Sequence, residues 1–268
     1  MKKYIFMAVA GMLSLSSCSN DDNEQNSQNA PRQMTFTAGF GDGATTRATL
    51  NGKSVSFDAN DEIGILSANN TTAKKFTTTA GGATATFTGT AKDDTKFYAV
   101  YPYTDGLTLD GTTIKGVEIS PEQPFAANFG WESESAIAYA TTTNSTLTFH
   151  NACALLKITN DVGDNVDIVI DCSGGVLTGT FNLDTSSGKL TVQDGRDYLS
   201  VRAESVPNNK TIYLAIAPGV VEGLHACWQR PIPFEGYDEG NKNKSGSVTF
   251  EKGKIYDLGR TSAWNENQ

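Results

Sequence analysis

The sequence predicts an all-β protein built from two β-sandwich domains, and three observations carry that expectation. Thr and Gly are abundant while Leu, Glu, Lys and Arg are sparse, and Thr favours the pleated surface of a strand as Gly favours its turns. Short segments of strand character recur between turn signals at the spacing of sandwiches or barrels rather than of alternating strands and helices. Finally, Phe97-Tyr98-Ala99-Val100-Tyr101-Pro102 is echoed 116 residues later by Tyr213-Leu214-Ala215-Ile216-Ala217-Pro218, an offset that suits one sandwich. In both copies Pro closes a strand, where its missing N–H does least harm.

The elements follow in order. Lys2 and Lys3, the apolar stretch 5–13 and the small residues 14–17 have the three parts of a signal peptide, expected over residues 1–17. The apolar stretch is too short to span a bilayer as a helix. Leu15-Ser16-Ser17-Cys18 resembles the bacterial lipobox, so Cys18 is expected to be lipid-modified, with palmitate among its chains, and to begin the mature protein. Each buried methylene of such chains contributes about 0.8 kcal/mol of membrane affinity. Residues 19–32 lack any strand-forming apolar residue and cannot offset chain entropy by burial, which makes 18–32 a flexible tether. Its reach as a random coil is on the order of 20 Å.

From Met34 the pattern alternates strictly. Met34, Phe36, Ala38 and Phe40 fall on one face and Thr35, Thr37 and Gly39 on the other, the signature of a half-buried strand. A polar loop through Arg47 and Ala48 follows, and strand character resumes at 61–66. Further strands are expected at 74–77, 83–88, 96–102, 106–109, 113–119 and 136–140, with a short helix at 125–135. The polar run 141–145 marks a boundary near Asn144, dividing 33–144 from 145–268. Beyond it, Leu147, Phe149, Leu155, Leu156 and Ile158 mark a long, largely buried strand interrupted near Asn151. Strands are then expected at 167–170, 178–183, 189–192, 198–201, 211–217, 226–232, 247–250 and 255–258.

Composition narrows the function. Formal net charge is −9, and −11 once Lys2 and Lys3 are removed, which argues against nucleic acid as a partner. Cys153, Cys172 and Cys227 remain after Cys18, an odd number without zinc or redox spacing. They read as buried thiols, with a disulfide between two of them left open. His150 and His225 lack metal-ligand spacing, and no Gly-x-Ser-x-Gly elbow or Gly-Lys-Ser/Thr phosphate loop is present. The Asp and Glu residues fall mostly in turns, as at Asp93-Asp94, so a carboxylate-pair glycosidase has little support. No enzyme and no cofactor is expected. Trp131, Trp228 and Trp264 could form a sugar-stacking platform or fill a core. The first would make the chain a surface glycan-binding lipoprotein.

Taken in order, several stretches carry a family likeness: Met34-Thr35-Phe36-Thr37-Ala38, Thr46-Arg47-Ala48, Phe57, Asp61-Glu62-Ile63-Gly64-Ile65 and Phe97-Tyr98-Ala99-Val100-Tyr101-Pro102-Tyr103. Phe149-His150-Asn151-Ala152-Cys153-Ala154-Leu155-Leu156-Lys157-Ile158, Ala215-Ile216-Ala217-Pro218-Gly219 and Phe250-Glu251-Lys252-Gly253-Lys254-Ile255-Tyr256 continue it. The chain thereby resembles the Bacteroidetes fimbrillin family, the pilins and accessory lipoproteins of fimbriae. Asp21 and Asp22 resemble the signal that sends lipoproteins of that phylum to the outer face of the outer membrane. The resemblance implies two tandem transthyretin-like (Ig-like) sandwiches, a fimbrial location and a role in adhesion. It implies as partners other fimbrial subunits, the outer membrane through the lipid, a trypsin-like processing protease and a host or bacterial surface ligand. It further implies that the protease cuts between Arg47 and Ala48, that the strand bearing Met34, Phe36, Ala38 and Phe40 is removed, and that a strand of another subunit takes its place. Read by itself, Arg47 is equally an ordinary exposed loop residue. The polar tail 259–268 makes a poor long donor strand, so either the donor is the last strands of the sandwich swinging out or this subunit sits at an end of the fibre as a tip or anchor.

Overall fold

The computed structural model describes residues 30–41, 56–123, 136–232 and 236–265, and all regular elements there are strands except one 3-10 turn. The first half holds β1 (Arg32–Phe40), β2 (Glu62–Ser67), β3 (Asn70–Thr78), β4 (Thr84–Ala91), β5 (Phe97–Tyr101), β6 (Thr108–Asp110), β7 (Thr113–Ile119), β8 (Ala138–Thr142) and β9 (Thr146–Asn151). The second holds β10 (Ala154–Asn160), β11 (Val166–Gly174), β12 (Thr178–Asp184), β13 (Lys189–Arg196), β14 (Tyr198–Val206), β15 (Lys210–Ile216), β16 (Gly219–Ile232), β17 (Gly236–Phe250) and β18 (Ile255–Arg260), then the turn Thr261–Asn265. The helix expected at 125–135 lies outside the described residues.

Alternation governs the first half. β1 buries Phe36 and Ala38 while Thr35 and Thr37 face solvent, whereas β2 and β5 are buried on both faces and read as near-continuous apolar runs. The pairing runs β3–β2–β5–β8–β9–β1–β4 and returns from β4 to β3, a closed circuit of seven strands. A two-sheet sandwich was expected over 33–144; the strands close into a barrel instead. Two features close it. β1 inserts between β4, antiparallel, and β9, parallel. β4 then curls onto β3 through Phe76↔Gly89, where a Cβ on Gly89 would meet the Lys75 carbonyl at 2.5 Å and the Phe76 ring at 2.6 Å. The interior is filled by Phe36, Phe57, Ile63, Ile65, Phe76, Phe87, Phe97, Leu147 and Phe149, interleaved with Ala side chains as the taper of a small barrel requires.

A second layer packs on the barrel's outer face. β6, β7, β12 and β13 form it, and Leu107, Ile114, Val117, Phe181 and Leu183 meet Leu66, Tyr98 and Val100 from the backs of β2 and β5. The strand pairing therefore crosses the expected boundary at Asn144: β9 belongs to the barrel circuit, and β12 pairs with β7. The long strand expected from Thr146 does break after Asn151, and its two parts serve different sheets.

The rest of the second half is two sheets face to face, β15–β10–β18 against β14–β11–β16–β17. Between them lie Leu156, Ile158, Ile168, Ile170, Leu214, Ile216, Trp228 and Trp264. Gln123 seals one flank of this sandwich. Its backbone N–H donates to Ser200 O of β14 at 2.9 Å, and its side-chain amide both donates to and accepts from the backbone of Ala215 in β15, at 2.7 and 2.9 Å. The opposite flank is closed by the 3-10 turn, whose Trp264 is fully buried and whose start is held by Asp161 through Thr261 and Ser262.

Candidate functional site

Among the residues singled out by the sequence, the structure gathers Met34, Phe36, Ala38 and Phe40 into one site: the groove that β1 occupies. The antiparallel ladder with β4 runs from Arg32↔Ala91 to Gly39↔Thr84, and the parallel one with β9 from Thr37↔Thr146 to Phe40↔Phe149. Two further bonds extend the parallel side: Thr37 N–H donates to Ser145 O at 2.8 Å and Gly41 N–H to Phe149 O at 3.0 Å. At the entry Arg32 pairs with Asp93 at 2.6 Å. Both partners are exposed, so this pair adds at most about 1 kcal/mol.

The inward side chains do the holding. Phe36 is fully buried and meets Phe76 and Phe97 edge-on, with ring centroids 5.5 and 5.2 Å away. Ala38 is fully buried opposite Ala85 and Leu147. Phe40 is half-buried and stacks on Phe57 at 4.9 Å, with Phe149 and Tyr101 around its rim. Met34 lies opposite Gly89, where no Cβ competes for room. Burying one large apolar side chain contributes about 1.5–3 kcal/mol, and edge-on ring pairs add about 0.5–1.5 kcal/mol.

The covalent connection of β1 to the barrel is residues 42–55. They leave at Gly41 and return before Phe57, whose ring stacks on that of Phe40, so the two ends of this segment meet at one end of the barrel. Arg47 and Ala48 are in this segment, outside the described residues, as are Cys18 and Trp131. A backbone cut there would sever β1 from the strands that follow it in sequence.

Other candidate residues go elsewhere. Trp228 and Trp264 are core residues whose indole N–H groups donate to Thr261 O and Leu258 O, at 3.0 and 3.2 Å, and neither can stack on a sugar. Cys153 and Cys172 are buried and Cys227 is half-buried, and no two of the three are joined in a disulfide. Burial pushes the Cys153 thiol up to about 12, far from the thiolate that nucleophilic chemistry needs. His225 sits between Asp171 Oδ2 at 2.9 Å and Asn241 Oδ1 at 3.2 Å, and the Asp171 contact raises its pKa. His150 is exposed beside Tyr139. Among the described residues no three His, Cys, Asp or Glu side chains are grouped to hold a metal ion. Sequence reasoning missed the roles of Gly89 and Gln123. A glycine inside a Thr-rich strand is the one available signal of close backbone approach, and Gln123 offers none.

The geometry can be set beside known proteins. The family model described as Fimbrillin-like matches residues 46–259. No curated protein matches the chain. Among solved structures, a candidate cell adhesion protein from Bacteroides uniformis is 15% identical, with 87% of this chain and 94% of that one covered at a TM-score of 0.52. A candidate cell adhesion protein from Bacteroides ovatus is 14% identical over 76% and 82% at 0.46. A fimbrial protein from the same species is 13% identical over 84% and 47% at 0.43. The first of these likenesses carries the fold; the other two carry no argument.

Proposed function

The chain belongs to the fimbrillin-like family of Bacteroidetes, and from that premise we propose that it is a surface fimbrial subunit or accessory protein serving adhesion, assembled by replacing β1 with a strand of another subunit. One observation carries the reading. β1 lies between two strands of the closed circuit, yet of the seven it is the first in sequence, joined to the others by residues 42–55. One backbone cut in that segment makes it a separate peptide. Loss of β1 would bare the hydrogen-bonding edges of β4 and β9 and the faces of Phe76, Phe97 and Phe57, a template that another extended segment would cover.

In this reading residues 1–17 are the signal peptide, Cys18 carries the lipid at the outer membrane, and 18–32 is the tether. A trypsin-like protease cuts after Arg47, which frees the mature protein from both β1 and its lipid. Residues 33–144 and 145–268 form two units whose strands interleave, the second a transthyretin-like sandwich. The ligand met at a host or bacterial surface would be bound by the assembled fibre.

Limited trypsin digestion of the folded, lipid-free protein tests this, with mass spectrometry of the products and electron microscopy before and after. Cleavage at Arg47 followed by loss of β1 and assembly into ladders, alone or with other subunits present, is the expected result. Resistance at Arg47, or cleavage with β1 still bound in every condition, would sink the reading.

A further inference from the structure

We infer that β1 comes away from its Arg32 end first, the end opposite residues 42–55, so that cutting this connection frees the strand without loosening it. The use of this order rests on the exchange reading above; its cause lies in the pairing of β1 alone.

The two halves of β1 are held unequally. Thr37 N–H donates to Ser145 O and Gly41 N–H to Phe149 O, so the odd-numbered residues turn their backbone groups toward β9 and the even-numbered ones toward β4. From Thr37 to Gly39 both sides are met. From Arg32 to Phe36 only β4 is met, and the backbone groups of Gln33 and Thr35 face a side on which no described strand pairs. Both of these residues are exposed, and so are both partners of the Arg32–Asp93 pair at the strand's entry. The first half of β1 is thus an edge strand and the second half a central one.

What each half leaves behind sets the order. Residues 87–89 of β4, opposite Met34, Thr35 and Phe36, are paired on their other side with residues 76–78 of β3. Lifting the first half of β1 therefore bares one edge of a strand that stays in its sheet. Residues 84–86 of β4 and 146–149 of β9 flank the second half, and among the described residues β1 is their only ladder partner. Lifting that half first would strip two strand segments of their ladders at once and unstack Phe40 from Phe57. Phe36 stands between the halves as a latch, fully buried and edge-on to Phe76 and Phe97. Opening from Arg32 runs to Thr35 and halts there until the Phe36 ring is withdrawn.

Amide hydrogen exchange, followed residue by residue by NMR, tests this on the full lipid-free chain. The chain is measured intact and after a cut within residues 42–55 at an inserted site for a specific protease, so the result does not depend on trypsin or Arg47. Met34 and Ala38 are the reporters, since both turn their N–H toward β4. Met34 is expected to exchange about tenfold or more faster than Ala38 in both states, and the cut to change Ala38 by less than about threefold. Asp93→Asn should quicken Met34 by about two- to fivefold and leave Ala38 unchanged. In the cut chain Phe36→Ala should bring the rate at Ala38 close to that at Met34, whereas Phe40→Ala should leave Met34 unchanged. Ala38 overtaking Met34 after the cut, Phe40→Ala quickening both alike, or departure of β1 on cutting alone would overturn the inference. The expected order in a chain that trypsin never cuts at Arg47 supports this inference and removes the exchange reading, and strand exchange with Ala38 opening first does the reverse.

Discussion

Gly89 does more for the architecture than its lack of a side chain suggests. It sits in β4 opposite Met34 of β1 and opposite Phe76 of β3, the point where the barrel circuit closes. Gly89→Ala would drive a Cβ into the Lys75 carbonyl and the Phe76 ring, and a loss of about 1–3 kcal/mol in chemical denaturation is expected. Gly39→Ala, on the neighbouring strand, meets only ordinary contacts at 3.5 and 3.6 Å and should be neutral or slightly stabilising, within about 1 kcal/mol. At the other end of the molecule His225 ties β11 to β17 through Asp171 and Asn241. The Asp171 contact raises the folded-state pKa above the ordinary value of 6.5, so the stabilisation is full below about pH 6.5 and fades as pH rises through the higher folded value. Both groups are about a third or more exposed, which limits the effect to less than about 1 kcal/mol. His225→Gln should flatten that part of the stability profile, measured as Tm against pH; an unchanged slope would remove the role.

At the scale of elements, the molecule treats its two ends differently. β1 is held by backbone ladders and by side chains that any fitting strand could supply. β18 and the 3-10 turn behind it are fastened by side chains specific to them. Asp161 receives Ser262 N–H and the hydroxyls of Ser262 and Thr261, and neighbouring Asn160 is buried and donates to Gly163, Val206 and Pro207 carbonyls. These bonds hold the Asp161 carboxyl below the usual carboxylate range against the opposing effect of its burial. Trp264 then fills the flank between the two sheets. Trp264→Ala should cost about 3–5 kcal/mol and speed hydrogen exchange across 255–265 while β1 to β5 keep their protection. Equal loosening of the barrel would mean that the turn supports the whole molecule rather than one flank of the sandwich.

At the scale of the whole molecule, the two halves are not separable along the chain. β9 follows Asn144 in sequence but pairs with β8 and β1, and β12 lays Phe181 and Leu183 into the layer covering the barrel. A protein ending at Asn144 would lack a barrel strand and the part of the cover over Leu66 and Val100 that β12 and β13 supply. Residues 33–144 expressed by themselves are expected to show no dispersed amide spectrum and no cooperative melt. A folded fragment would mean that the interleaving is incidental. The same interleaving bears on assembly, because the groove-forming strand β9 leads within three residues into β10 of the sandwich, so a strand seated in the groove is mechanically continuous with the second half.

Read alone, the sequence determined the all-β class, the alternation that identifies β1 and its inward set Met34, Phe36, Ala38 and Phe40, the break after Asn151 and the family resemblance. These are legible because they depend on periodicity and order along one strand, which backbone geometry converts directly into faces. β17 shows where that stops: Asn241-Lys242-Asn243-Lys244 has no apolar alternation, and an edge strand held mostly by its ladder with β16 leaves no pattern to read. The expected sandwich of 33–144 became a barrel for a related reason. Which strand pairs with which depends on contacts between residues far apart in sequence, such as Ala38 with Leu147 and Phe76 with Gly89, and no local propensity encodes them. The buried fate of Trp228 and Trp264 and the bridging of two sheets by Gln123 were likewise decided only when the packed structure chose which faces meet.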